Sequence, residues 1–324
     1  MGLRFQAGQE QFFRLGSMKS IFLIFVAILF VTSMRADDLG QAGGALAATT
    51  GGLTGDFSGS ARSAPPLLVD ELNGEIDRRI AATGSNPGNA LNLFSSADDS
   101  NFVYVRSASN WVHDLDLTGV VITHDYLSQN NHLTSGGALI TPQDIVCAAH
   151  FAIPKGGVLN FVDSNNVIHK GKVANGAGIA GTDIYICHLE SPVSGVKAYK
   201  VLPPDYGSYS PDNSLTRWPV LLAYNFGHRA YVLDCYRISS ELRFHPCIDP
   251  SRAPYTTKIS SGSGSPAFAV INGEPIIVGC LHTTGSTSWL ASKEAAIDTM
   301  LSSLGSAYTL TTVNLSSPVS YALF

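Results

Sequence analysis

Three residue types occur in an order that suits acyl transfer. His150 closes the apolar run Ile145-Val146-Cys147-Ala148-Ala149, and Asp183 opens another, Ile184-Tyr185-Ile186-Cys187-His188-Leu189. Ser263 lies between glycines in Ser261-Gly262-Ser263-Gly264-Ser265-Pro266, just ahead of a third apolar run. An attacking hydroxyl must lose its proton, a neutral imidazole must take it and return it to the leaving group, and a carboxylate must hold the imidazole's tautomer and offset its charge. Glycines beside the hydroxyl let backbone N–H groups turn toward the oxyanion that develops on the substrate. Ser263, His150 and Asp183 supply these groups, and the chemistry calls for no metal or cofactor. No CxxC and no metal-type Cys/His spacing is present.

The elements that must position these residues are mostly short strands. From about residue 102 the chain reads FVYVRSA, LTGVVITH, GGALITP, DIVCAAHF, VLNFVDS, DIYICHL, WPVLLAYNF, AYVLDCYRI, AFAVI and PIIVGCLH, each apolar and rich in β-branched residues, with turn residues between them. Asn272-Gly273 between two such runs predicts a hairpin. Many short strands at regular spacing predict an all-β sandwich or barrel. Two helices flank this pattern. Leu68, Leu72, Ile76 and Ile80 form a helical stripe within 67–82, and Ser292 to Leu304 reads as a helix stopped by Gly305.

With the motifs GGALIT, AAHF, TDIYICHL and SGSGSP in this order, the chain resembles the trypsin/chymotrypsin-like serine peptidases, as a divergent, bacterial-type member. The order His…Asp…Ser suits that family and neither the subtilisins nor the α/β-hydrolases, and a G-x-S-x-G elbow fails because positions 261 and 265 are both serine. The resemblance spans about residues 112–305. It implies two six-stranded antiparallel Greek-key barrels, an active site in the cleft between them and a C-terminal helix on the outside of the second barrel. It further implies a serine endopeptidase acting on proteins or peptides. His150, Asp183 and Ser263 would be its triad, with the backbone N–H groups of Ser261 and Ser263 as its oxyanion hole.

The chain departs from the family pattern at several positions. Ser261 replaces the glycine two before the nucleophile, where a residue with a side chain disfavours positive φ. This leaves a second reading, a catalytically impaired homologue that serves as a secreted binding protein. Gly262 replaces the aspartate that binds a newly cut N-terminus in activated relatives, so removing the segment before about residue 110 is not expected to switch activity on. Phe151 replaces the cysteine after the catalytic histidine. Counting back six from Ser263 places Thr257 at the base of the substrate pocket, followed by Lys258. Glutamate-specific relatives carry a histidine near His282, so Lys258 and His282 would favour an acidic substrate side chain. The alternative places His282 in the core behind the triad and Lys258 in solvent.

Composition agrees with a folded, exported protein. Hydrophobic residues make up 45% and charged residues 14% of 324, against about 25% charged in an average soluble domain. Lys+Arg total 20 against 25 Asp+Glu, a net charge of −5 with no dense basic tract beyond the N-terminus, which gives nucleic-acid binding no electrostatic support. Residues 18–36 have a basic start, an apolar Ile21–Val31 and small residues at Ser33 and Ala36, the pattern of a signal peptide. The expected organisation is a signal peptide at 1–36, a flexible Gly/Ala/Ser/Thr-rich linker at 37–65 and an N-terminal extension with a short helix at 66–110. A peptidase-like domain follows at 111–305, and a strand or tail at 306–324. The destination is secreted, periplasmic or extracellular, with no stable membrane insertion once the signal is cut. Of five cysteines, Cys147, Cys187 and Cys280 read as buried core residues, and Cys235 with Cys247 is the one pair that reads as a bridge.

Overall fold

The computed structural model describes residues 68–124, 136–205, 217–225, 227–238, 241–259, 262–282 and 285–315. The expected signal peptide and linker, Ser261 and residues 316–324 lie outside them. Among the described residues no helix is long and apolar enough to cross a membrane.

Helix α1 (Leu68–Thr83) buries Leu72, Ile76 and Ile80 of the predicted stripe and ends where Gly84 takes φ +97°. Burying each such side chain contributes at most about 1.5–3 kcal/mol. A hairpin of β1 (Phe94–Asp98) and β2 (Val103–Arg106) follows. Six strands then form one antiparallel sheet: β3 (Thr123–His124), β4 (Ala138–Thr141), β5 (Asp144–Ala148), β6 (Val158–Val162), β7 (Ile168–Gly178) and β8 (Ile184–Leu189). Six more form a second: β9 (Trp218–Tyr224), β10 (Arg229–Ile238), β11 (Glu241–Pro246), β12 (Pro266–Ile271), β13 (Glu274–Cys280) and β14 (Ser286–Ser288). Asn272 and Gly273 both take positive φ in the predicted β12–β13 turn.

The two sheets repeat one topology. Hydrogen-bonded neighbours run β3-β6-β7-β8-β5-β4 in the first and β13-β12-β9-β10-β11-β14 in the second. Numbered from the first strand of each, both follow the same circular order: first, second, third, sixth, fifth, fourth. The seam of the first sheet, between β3 and β4, is spanned by a Val120–Ala138 bridge. That of the second, between β13 and β14, is crossed by the Thr287 hydroxyl donating to the Cys280 carbonyl. The all-β, double-barrel expectation is thus met, with a Greek-key order in each barrel.

Alternate residues serve different cores. Ile145, Cys147, Cys187 and Leu189 belong to a cluster of the first barrel, and Val220, Leu222, Leu233 and Ala269 to one of the second. Their neighbours Val146, Ile186, Leu221 and Phe268 join a third cluster that spans both barrels. Strands buried on both faces explain the unbroken apolar runs in the sequence. Ile76, Ile80, Leu93, Phe94, Tyr104 and Trp111 enter the shared cluster as well, so the N-terminal extension packs with the barrels.

Two expectations need correction. Helix α2 (Glu294–Leu304), closed by Gly305 at φ +89°, rests chiefly on β7 and β8 of the first barrel, where the expectation had it on the outside of the second. Its Ile297 and Leu301 enter the shared cluster, and the Leu304 carbonyl accepts from the Asn175 amide. All five cysteines are buried and unbridged. In the β10–β11 ladder Cys235 pairs with Phe244, not with Cys247. Cys235 belongs to the second barrel's own cluster and Cys247 to the shared one.

Candidate active site

The β5–β8 ladder brings two of the three predicted residues together. Ala148 pairs with Ile184, so the chain leaving β5 lies beside the chain entering β8. Beyond this pair the Ala149 N–H donates to the Asp183 carbonyl at 2.9 Å. A single 3-10 turn, Ala149–Phe151, then swings the His150 ring over the Asp183 carboxylate. The His150 backbone N–H reaches Asp183 Oδ1 at 2.9 Å, and Nδ1 lies 2.5 Å from Oδ2. Asp183 therefore holds the histidine by its backbone and its ring together. The Ser288 hydroxyl in turn accepts the Asp183 backbone N–H at 3.2 Å. Phe151, where the family pattern has a cysteine, packs edge-on against the His150 ring at 4.7 Å.

Ser263 arrives from the second barrel on a tight turn. The Ser265 N–H donates to the Gly262 carbonyl at 2.9 Å, and Gly264 takes φ +85°, the pattern of a type II turn with Ser263 at its corner. A Cβ on Gly264 would lie 2.4 Å from the Gly136 carbonyl oxygen, while the Gly136 N–H donates to the Ser263 carbonyl at 3.2 Å. This contact between two glycine-bearing segments lets the barrels approach closely. It places Ser263 Oγ 2.8 Å from His150 Nε2. Gly262 takes φ +91°, and a Cβ there would meet the Tyr224 ring at 2.3 Å, so position 262 has no room for a carboxylate side chain.

The arrangement is open where a substrate would enter. The His150 side chain is 39% exposed and that of Asp183 22%. Around Ser263 the Gly264 N–H is taken by the Leu281 carbonyl and that of Ser265 by Gly262. Among the described residues no acceptor takes the Ser263 N–H.

The specificity candidates differ in burial. Thr257 is half-buried and Lys258 exposed. His282 is buried, its N–H donating to the Ser286 carbonyl at 3.0 Å. It lines a cavity of about 250 Å³ with Gly181, Thr182, Asp183, Glu241, Ser288 and Lys293, in which neither Thr257 nor Lys258 takes part. Burial holds the His282 imidazole below the usual histidine range, against the opposing pull of Asp183 and Glu241.

Sequence reasoning missed the partners that set these groups. Ser288 and Asn225, whose N–H donates to the Ser265 hydroxyl at 3.2 Å, carry no local signal. No known family profile matches the chain, and no curated protein shows significant similarity to it.

Proposed function

We propose that this protein is an exported serine endopeptidase of the trypsin-like double-barrel class. The reading is carried by one observation: the His150 imidazole bridges a carboxylate on its own barrel and a hydroxyl from the other, at 2.5 and 2.8 Å. With Nδ1–H directed at Asp183, Nε2 is the basic nitrogen and faces Ser263 Oγ.

In the first half-reaction Ser263 Oγ attacks the scissile carbonyl carbon while its proton passes to His150 Nε2. The carbonyl oxygen takes up the negative charge and meets the Ser263 N–H, with the Ser261 N–H as the second donor in this reading. Collapse of the tetrahedral adduct breaks the C–N bond. His150 returns the proton to the leaving amine, and an acyl ester remains on Ser263. Water then repeats the sequence, and releases the carboxylic acid and the free serine. Asp183 holds the ring and stabilises the imidazolium as it forms. The substrate is a protein or peptide, and no cofactor takes part.

Labelling with a fluorophosphonate probe at pH 7–8 tests the reading. The full chain is expected to label and its Ser263→Ala variant to lose labelling, with turnover of a peptide substrate falling on the order of 10⁶-fold. A folded protein that takes no label would overturn the reading in favour of a binding protein built on the same barrels.

A further inference from the structure

The two catalytic loops are supported differently. Residues 149–157, between the third and fourth strands of the first barrel, are fixed within that barrel. Ala152 donates to Ala149, Gly157 to Pro154 and Gly156 to Val173. Residues 247–265, the equivalent connection of the second barrel, are longer and carry Ser263 near their end. Their buried side chains reach outside the barrel, to the N-terminal extension. The Arg252 guanidinium, 7% exposed, donates through Nε and Nη2 to both oxygens of Asp77 on α1, at 2.7 and 2.8 Å. The Tyr255 hydroxyl donates to the Gly84 carbonyl at 2.6 Å, just past the end of α1. Trp111 packs edge-on against the fully buried Tyr255 ring at 5.9 Å.

The extension also grips the opposite flank of the serine turn. The β9–β10 turn carries Asn225, which holds the Ser265 hydroxyl. Beyond it, the His228 carbonyl accepts from the Leu93 N–H at 2.8 Å, and its Nε2 lies 2.9 Å from Asp99 Oδ1. The Trp111 indole N–H donates to the Ala230 carbonyl at 3.0 Å. Two segments that converge on Ser263 are therefore tied to residues 77–111. The turn itself has no room for a charged anchor, because Gly262 is closed off by Tyr224.

We infer that the N-terminal extension is the built-in clamp that holds the nucleophile loop in register, with Asp77 and Arg252 as its positioning residues. This rests on the peptidase reading above. Neither residue touches substrate. They act by fixing the path of 247–259, and misplacement of a reacting atom by about 1 Å can cost on the order of 10²-fold in rate.

The test compares the full chain with Asp77→Ala, Tyr255→Phe and the reciprocal pair Asp77→Arg/Arg252→Asp, well below each melting temperature. Two readouts are the second-order rate of fluorophosphonate labelling and hydrogen–deuterium exchange of peptides within 247–265 and 149–157. Asp77→Ala is expected to slow labelling of folded protein at least tenfold and raise exchange across 247–265 but not 149–157. The reciprocal pair should recover part of both. Tyr255→Phe, which removes one hydroxyl, gives a smaller change of the same kind if Asp77→Ala fails to fold. Folded variants that label at the wild-type rate with unchanged exchange in 247–265 overturn the clamp. If the wild type itself takes no label, the peptidase reading fails, and the exchange contrast alone still decides for or against the clamp.

Discussion

The two barrels share a circular strand order and contribute to the candidate site from equivalent places. His150 follows the third strand of the first barrel, and Ser263 precedes the fourth strand of the second, so both lie in the same connection of the repeated topology. The connection between fifth and sixth strands carries Asp183 in the first barrel and His282 in the second. One fold unit used twice has thus placed four titratable or nucleophilic groups on two kinds of loop. What separates them is the company each keeps. Asp183 meets a backbone N–H and a ring nitrogen of the partner it orients, whereas His282 has a buried Nε2 without a hydrogen bond among the described residues. Topology supplies the positions, and local hydrogen bonding distinguishes their occupants.

That contrast breaks most sharply in the fifth-to-sixth loops. An amide at 183 can accept only one of the two N–H groups that the carboxylate now receives, and its NH₂ opposes the other. Asp183→Asn is expected to lower kcat on the order of 10⁴-fold, through a wrong tautomer or a misplaced ring. His282→Ala in the equivalent loop should cost less than about tenfold, under roughly 1.4 kcal/mol of barrel-to-substrate alignment. Steady-state kinetics on both variants decide the matter. Comparable losses would mean that His282 belongs to the catalytic unit.

The third-to-fourth loops sharpen it further, through their glycines. Gly264 and Gly156 both take φ +85°, so alanine is strained at each by about 1–2 kcal/mol. Nothing lies within 4 Å of a Cβ on Gly156, whereas one on Gly264 would strike the Gly136 backbone of the other barrel. Gly264→Ala is expected to push the barrels apart and slow labelling about 100-fold. Gly156→Ala should lower the melting temperature by only roughly 2–6 °C and leave the labelling rate within a few-fold. Equal labelling rates in the two variants would show that the inter-barrel contact does not set the distance from Ser263 to His150.

Much of this arrangement could be read from residue order, and the exceptions have physical causes. Strands buried on both faces, such as β5, β9 and β12, appear as unbroken apolar runs, and Asn272-Gly273 announces its turn. Strand β7 escaped notice because its exposed face carries Lys170, Lys172 and Asn175 among glycines, and little of it is buried. Strand β11 alternates Glu241, Arg243 and His245 with Leu242 and Phe244, too short a pattern to stand out. Strand β14 is three small polar residues whose burial comes wholly from the barrel around them. His150, Asp183 and Ser263 stood out because each adjoins an apolar run. Asp77, Arg252 and Tyr255 did not, because an ion pair or hydrogen bond between residues so far apart in the chain leaves no local pattern. The helical stripe marked where α1 packs but not what its polar face holds.

The smallest expected effect concerns that helix and again separates the two barrels. Glu71 is buried where α1 packs on β9 and β12, strands that carry no charged residue. Burial, and then the neighbouring Glu75 carboxylate, push its carboxyl up to about 7, with the Asn272 backbone N–H opposing. Glu75 is itself engaged by Arg78 and Arg79, the latter at 2.7 Å, so neither arginine is left to neutralise Glu71. Between the ordinary value of 4.5 and about 7 the folded chain binds the extra proton. Stability therefore falls as pH rises through that window. The contribution is fully present below 4.5 and gone once Glu71 ionises above about 7 in the fold. The melting temperature of the wild type is expected to fall by roughly 5 °C between pH 5.5 and pH 8, and Glu71→Gln, which cannot ionise, should flatten that slope. Because α1 is tied to 247–255 and not to 149–157, the same rise in pH should increase hydrogen exchange in the second barrel's loop alone. Parallel melting curves for wild type and Glu71→Gln, or equal pH-dependent exchange in both loops, would remove Glu71 from the docking of α1.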